Sequence, residues 1–345
     1  MTSAILVHPD FDAVWPLAAD HAHSLWRAQG EVEFVRLAPG DSRSAGEILS
    51  APHGVSRLLS FGVPFGAACL DALPQLREAV IQPGEYGILG RGDSPLEERC
   101  KARGVRLITH GSEGFWGQSV SEFGLALTLC GLRRIPQTHR EIISSHAPWD
   151  YNPPGGIGQS GARGQQFGDD ANFANGTVAG KRVRVVGAGN IASRYASFVN
   201  FLGADVAAWD PFAPEPCFHR AGARREHFLT KLVQDAEIFV PMVPLTDKTR
   251  GLVTAAHIES LPNGCLVVLV TRAGICDVPA LRRRVLNDEL ALAADVFDIE
   301  PLPLGDPLLG RHNVVHTPHN AGRTMHANHA YARMLVEQFS PIAVF

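Results

Sequence analysis

The run Val183-Arg184-Val185-Val186-Gly187-Ala188-Gly189-Asn190-Ile191-Ala192 constrains this chain more than any other stretch. An apolar strand pattern over 182–187 leads into Gly-x-Gly-x-x-Ala, and a helical pattern follows over 191–202. The first glycine permits a tight turn, and the second lets a pyrophosphate approach the backbone. The small third residue, Ala192, allows the helix to pack closely on the strand, while the helix N-terminus offers unpaired N–H groups to phosphate. The next predicted strand, 204–209, runs into Asp210. An acid there accepts hydrogen bonds from an adenosine ribose and repels a 2'-phosphate. Between Asp210 and Arg220 the sequence has no Arg or Lys. These features favour NAD over NADP as the cofactor, with Gly187, Gly189 and Asp210 as its contacts.

The rest of the chain agrees with a doubly wound α/β architecture. Short apolar runs at 4–7, 33–37, 57–60 and 104–108 alternate with polar or helical stretches, including a short helix over 70–76. Strand patterns recur at 237–240, 266–270, 291–296 and 313–316. The spacing predicts two Rossmann-like parallel-sheet domains with a cleft between them: 1–118 plus 324–345 as substrate domain, and 119–323 as NAD domain. An apolar helix over 119–134 is expected to lie buried between them. Residues 148–175, rich in Gly, Pro, Gln and Asn, read as a loop, either a lid or a mobile segment. The stretch 324–339 is helical in pattern.

Composition removes other classes. With 345 residues, 45% hydrophobic and 19% charged, the chain can bury two cores. A formal charge of -4 gives no reason to expect nucleic acid, and Arg282-Arg283-Arg284 reads as a solvated helix face. The six cysteines are scattered without a C-x-x-C pair, so reduced thiols are expected rather than disulfides or a metal site. The N-terminus lacks a leader pattern, and no segment is long and apolar enough to cross a bilayer. A cytoplasmic protein without a membrane partner is the expectation.

Three further motifs stand downstream: Thr271-Arg272-Ala273-Gly274, Asp295-Val296-Phe297-Asp298-Ile299-Glu300-Pro301-Leu302 and Thr317-Pro318-His319-Asn320-Ala321-Gly322. With the fingerprint and Pro244-Leu245-Thr246, they resemble the D-2-hydroxyacid dehydrogenase family, strongly over 176–323 and more weakly over 55–135. The resemblance implies an NAD-dependent oxidoreductase interconverting a D-2-hydroxy acid and its 2-oxo acid. Loss of a hydride from C2 requires loss of the hydroxyl proton, which calls for a general base, and histidine is suited to that near neutrality. His319 is assigned that part, Glu300 the orientation of its ring, and Arg272 the substrate carboxylate.

By the same resemblance, Asn190 and Ile191 touch the pyrophosphate, Val243 and Pro244 flank the adenine, and Val270, Thr271 and Gly322 lie along the cofactor with Arg272 and His319. Asp295 either contacts the nicotinamide carboxamide or caps local backbone. Gly62 stands on the loop expected to meet the substrate, and Phe61 and Trp116 either wall its pocket or fill a core. The string Gly90-Arg91-Gly92-Asp93-Ser94 stands where the family has a Gly-x-Asp-Asn pattern. Ala273, Leu269 and Ala192 depart from the family's usual residues without touching the proton chemistry. Glutamate rather than glutamine at Glu300 disfavours a formate dehydrogenase. The expected partners are a small 2-oxo or 2-hydroxy acid and a second copy in a homodimer. Two other readings stay open, an NAD(H)-sensing corepressor-like protein on the same fold and a hydrolase that holds NAD tightly, although nucleoside-recognition segments for the latter are missing.

Overall fold

The computed structural model describes residues 2–84, 86–90, 92, 94–110 and 114–341. Arg91 and Asp93 of the glycine-rich string therefore lie outside the described residues. The chain divides into two compact units, Met1–Phe115 with Arg323–Phe345, and Trp116–Gly322. The sequence pattern places these divisions at 118/119 and 323/324.

In the first unit five strands, β1 (Thr2–Val7), β2 (Val32–Arg36), β3 (Val55–Phe61), β4 (Glu78–Gln82) and β5 (Arg106–Leu107), form one sheet in the order β2-β1-β3-β4-β5. Every pairing is parallel. β1 and β3 are interior strands buried on both faces, which is why Ala4–Val7 reads as an apolar run, although β3 also buries Ser56, Arg57 and Ser60. β4 has no counterpart in the sequence reading. Its apolar core is only Ala79-Val80-Ile81, and it opens on a glutamate. Tertiary partners make that glutamate tolerable, because Glu78 is buried against the Arg106 guanidinium and the Ser340 amide.

The helix Met325–Val336 belongs to this unit. Thr324 caps it by accepting the Ala327 N–H at 3.1 Å. Tyr331 stacks on Trp15, with ring centroids 4.5 Å apart. His329 stacks on His21 of the helix Ala18–Arg27 at 4.1 Å.

The second unit contains β6 (Arg182–Val186), β7 (Asp205–Trp209), β8 (Arg224–Arg225), β9 (Ile238–Pro241), β10 (Leu266–Leu269), β11 (Ala291–Ala294) and β12 (Val314–His316). They form a parallel sheet in the order β12-β11-β10-β9-β6-β7-β8. The strand order reverses between β6 and β9. In doubly wound sheets ligands bind outside the carboxyl ends of the strands at such a switch point. The helix Gly117–Arg133 packs on this unit's own sheet and on the helix Asn190–Phe201. Small residues permit the approach: a Cβ on Gly124 would lie 3.0 Å from Met242 Cε and 3.4 Å from Val270 Cγ1. A buried hydrogen bond of 2.8 Å joins Thr128 Oγ1 to Tyr195 OH across the two helices. The long loop contains one 3-10 turn, Ala147–Trp149. Its neck is closed where the Gln166 N–H donates to the Asp150 carbonyl at 2.9 Å.

Candidate active site

Gly187 follows β6 at the switch point with φ +112°, a conformation that a side chain would oppose. A Cβ there would also lie 2.8 Å from the Met242 carbonyl oxygen and 3.1 Å from Val243 Cγ1, at the end of β9. Gly187 is thus fixed as glycine both by its own backbone and by the neighbouring crossover. A Cβ on Gly189, in contrast, would meet nothing within 4 Å. The space beside this second glycine is open, as close approach of a pyrophosphate requires. Gly189 is the N-cap of the helix Asn190–Phe201, whose first-turn amides at Asn190 and Ile191 have no intrahelical acceptor.

Asp210 terminates β7 on the other side of this turn. Its Oδ2 accepts the Ala188 N–H at 2.9 Å, and its Oδ1 accepts the N–H groups of Phe212 and Ala213 at 2.9 and 3.1 Å. These bonds tie the acid to the fingerprint turn. A carboxylate accepts about four hydrogen bonds, and this one is only half-buried, so it can still take a ribose hydroxyl. The turn, the open side of Gly189 and the anchored acid fit the diphosphate and ribose of a dinucleotide. Val243 is half-buried and Pro244 exposed beside them.

Three neighbouring strands of the same sheet carry the remaining groups. Arg272 follows β10, Glu300 follows β11 and His319 follows β12, all on the carboxyl-end side. His319 Nδ1 lies 2.6 Å from Glu300 Oε2. The other carboxylate oxygen, Oε1, accepts the Phe297 N–H at 2.8 Å, which fixes the acid from behind. His319 Nε2 has no protein partner among the described residues, and the ring is 39% exposed. Arg272 is exposed, and its Nη1 donates to the Thr271 carbonyl at 2.7 Å. No carboxylate among the described residues lies within ion-pair distance of it. A polarised imidazole with one open nitrogen and an unpaired guanidinium can exchange a proton and bind a carboxylate.

His319 has φ +54°, an unfavourable backbone conformation for a residue with a Cβ. Asp295 explains how it persists. This fully buried acid accepts Thr317 Oγ1 at 2.6 Å and the Asn320 N–H at 3.1 Å on Oδ1, and the Ala321 N–H at 2.9 Å on Oδ2. Of the two readings open for Asp295, the structure supplies the backbone cap: its oxygens face the 317–321 loop and reach no open surface. Thr317, which the sequence reading left without a role, is the side chain that completes this brace. Its only signal was its place before Pro318-His319. Thr271 is buried and donates to the Pro241 carbonyl at 3.3 Å. Val270 is buried against the helix Gly117–Arg133.

The two aromatic candidates separate. Phe61 is fully buried and stacks on Phe11 at 4.5 Å, so it fills the core of the first unit and cannot wall a pocket as it stands. The Gly62 N–H, expected to meet substrate, donates instead to the Gln82 carbonyl at 2.8 Å. Trp116 belongs to the second unit, where its indole covers Gly322: a Cβ on Gly322 would lie 3.0 Å from Trp116 Nε1.

Fold and site together define a doubly wound dinucleotide-binding domain with a histidine–glutamate pair and an arginine at its carboxyl edge. Comparison with known proteins refines that class. Residues 156–321 match the family described as D-isomer specific 2-hydroxyacid dehydrogenase, NAD binding domain. The match lies within the second unit, Trp116–Gly322, and marks that unit as similar to the family's NAD-binding domain. It is 29% identical over 226 residues to D-3-phosphoglycerate dehydrogenase of Archaeoglobus fulgidus, covering 65% of this chain and 39% of that protein. It is 24% identical over 275 residues to glyoxylate reductase of Korarchaeum cryptofilum, covering 79% and 75%. The chain thus spans only 39% of the length of the archaeal phosphoglycerate dehydrogenase. Among solved structures, a phosphoglycerate oxidoreductase from Rhizobium etli superimposes with a TM-score of 0.70 at 20% identity, over 96% of this chain and 91% of that one. At that identity the likeness concerns the fold.

Proposed function

We propose that this protein is an NAD-dependent oxidoreductase that interconverts a D-2-hydroxy acid and its 2-oxo acid, with His319 as acid–base. The observation that carries the reading is the 2.6 Å contact between His319 Nδ1 and Glu300 Oε2 beside an open Nε2. With Nδ1–H donating a hydrogen bond to the Glu300 carboxylate, the neutral ring presents a lone pair at Nε2. In oxidation that lone pair takes the hydroxyl proton from the substrate, and Glu300 stabilises the imidazolium that results. In reduction Nε2 returns the proton to the 2-oxo oxygen. Arg272 holds the substrate carboxylate through its planar fork and draws electron density from the 2-oxo group. Bound NAD would supply the hydride acceptor, and NADH the donor. The first unit is assigned to the substrate and the second to the cofactor.

The chain is further proposed to act as a homodimer. The half-buried Phe123, Leu125 and Leu129 on the helix Gly117–Arg133 support this, as do the exposed Ile135, Ile142 and Ile143 that follow. Six free cysteines are consistent with a reducing, cytoplasmic setting. No helix among the described residues is long and apolar enough to cross a membrane.

NADH absorbance with a panel of 2-oxo acids tests the activity. The wild-type protein is expected to oxidise NADH with at least one acid. His319→Ala is expected to lose about 10²–10⁴-fold in turnover while keeping its affinity for NADH. Tight NADH binding with no turnover on any acid would replace the enzyme by a sensor of the dinucleotide.

A further inference from the structure

One cation beside the fingerprint is not used by the chemistry above. Arg194 lies one turn into the helix Asn190–Phe201, four residues after its first residue. Side chains on a helix lean toward its N-terminus, so an arginine here reaches back over the first turn. Its Nε donates to Asn190 Oδ1 at 3.1 Å, and its Nη1 donates to Gln118 Oε1 at 3.0 Å. Gln118 is itself hydrogen-bonded through Nε2 to Glu122. Gly117 closes the other side of Asn190, since a Cβ there would lie 2.8 Å from both terminal atoms of its carboxamide.

Two features distinguish this arrangement from an ordinary surface ion pair. Both partners of Arg194 are neutral amides, and no carboxylate among the described residues lies within ion-pair distance of it. The positive charge is therefore oriented but not compensated. It is held, moreover, against Asn190, the first residue of a helix whose N-terminal dipole already favours an anion. Among exposed arginines a guanidinium held at two of its nitrogens has lost much of the rotamer freedom that binding an anion would otherwise cost.

We infer that Arg194 is a cofactor-binding cation for the NAD pyrophosphate, pre-aimed by Asn190 and Gln118. The inference rests on the NAD-binding reading of the second unit and adds to it a residue outside the glycine fingerprint. An arginine in this place raises affinity for the dinucleotide at low ionic strength and leaves proton transfer at His319 untouched.

Titration of NADH fluorescence at low and moderate salt, with the full chain and no substrate present, tests it. Arg194→Gln is expected to raise the NADH dissociation constant about three- to tenfold, the range for one charge-assisted hydrogen bond at a partly exposed site. It should also flatten the salt dependence of binding, with the cofactor-free melting temperature unchanged. Arg194→Lys keeps the charge but loses the fork, so it should retain the salt dependence with an intermediate affinity. Gln118→Leu, which releases one tether and leaves the charge, should weaken binding less than Arg194→Gln. Equal NADH affinity and equal salt dependence in wild type and Arg194→Gln would overturn the inference. So would a loss of affinity independent of salt and accompanied by a lower melting temperature, because that marks a purely structural tie between the two helices. If the wild-type protein itself bound no NADH, the cofactor reading would fail first, which separates the two outcomes.

Discussion

At the scale of single residues, acids in this site differ in duty although they are chemically alike. Glu300 spends one oxygen on backbone and one on a histidine, so it can report on the protonation of that ring. Asp295 spends both oxygens on the loop that carries the histidine and thereby holds His319 in the left-handed region. Removing it leaves the Ala321 amide buried and unpaired, at a cost of about 1–3 kcal/mol. Asp295→Ala should therefore lower the unfolding free energy in denaturant by about that amount and reduce turnover through misplacement of His319. Full stability in that variant would show the brace to be dispensable. Asp210 combines the two patterns, anchored to the fingerprint turn yet half-exposed. Asp210→Ala is expected to narrow the preference for NAD over NADP, since it removes the charge that repels a 2'-phosphate. Dissociation constants for NADH and NADPH would measure this, and an unchanged ratio would relocate the ribose contact.

At the scale of elements, β6 is the strand on which the cofactor site depends, and it contains a buried arginine. Arg184 is about 2% exposed and forms a two-pronged contact with Asp235, Nε to Oδ1 at 2.7 Å and Nη2 to Oδ2 at 2.6 Å, with Asp205 at 3.0 Å. The Arg184 hydrogen bonds hold the Asp235 carboxyl below the usual range, against an opposing effect of burial. A carboxyl lowered in the folded state contributes stability above its unfolded pKa of about 4, and loses it as the pH falls through the lowered value. Arg184→Met removes the partner that lowers Asp235. Melting curves from pH 6 to pH 2 should then show a shallower acid limb than the wild type. An identical acid limb in both would assign the acid sensitivity to other pairs. The sequence offered Val183-Arg184-Val185 as a plain strand, and nothing local marks its arginine as buried: Asp205 and Asp235, which neutralise it, are distant in sequence.

At the scale of the whole molecule, the chain leaves its first unit at Phe115 and re-enters it at Arg323, so its last helix completes the unit that its first strand began. That closure is expected to be pH-sensitive through His21. Burial chiefly lowers its pKa, and the neighbouring His329 and Arg333 lower it further, while its buried Nε2 has no hydrogen-bond partner among the described residues. His21 is thus disfavoured as a cation when folded, whereas the unfolded chain takes up the proton at its ordinary value near 6.5. Stability from this source is complete above that pH and declines as the pH falls below it. His21→Phe keeps a ring for stacking and carries no titratable nitrogen, so it should lose less stability between pH 7 and pH 5 than the wild type does. Calorimetry would show this as a smaller downward shift of the melting temperature, and parallel shifts in the two proteins would exclude His21.

Period and punctuation were enough to reveal the parallel strands, the fingerprint and the order Arg272, Glu300, His319, because each is local: a run of apolar residues, a pair of glycines, an acid after a strand. What stayed hidden depends on distant partners. β4 exists because Arg106 and Ser340 accommodate Glu78. Phe61 turned inward because Phe11 stacks on it. Asp295 became a brace because the loop 317–321, distant in sequence, brings a hydroxyl and two amides onto its carboxylate. Arg194 acquired its aim only when the helix Gly117–Arg133 came to lie beside it. The amino-acid order by itself therefore determined which chemical groups stand at the sheet's carboxyl edge. Tertiary packing decided which of them face open space and which are used up inside, since hydrogen-bond capacity and burial are settled only when segments far apart in the chain meet.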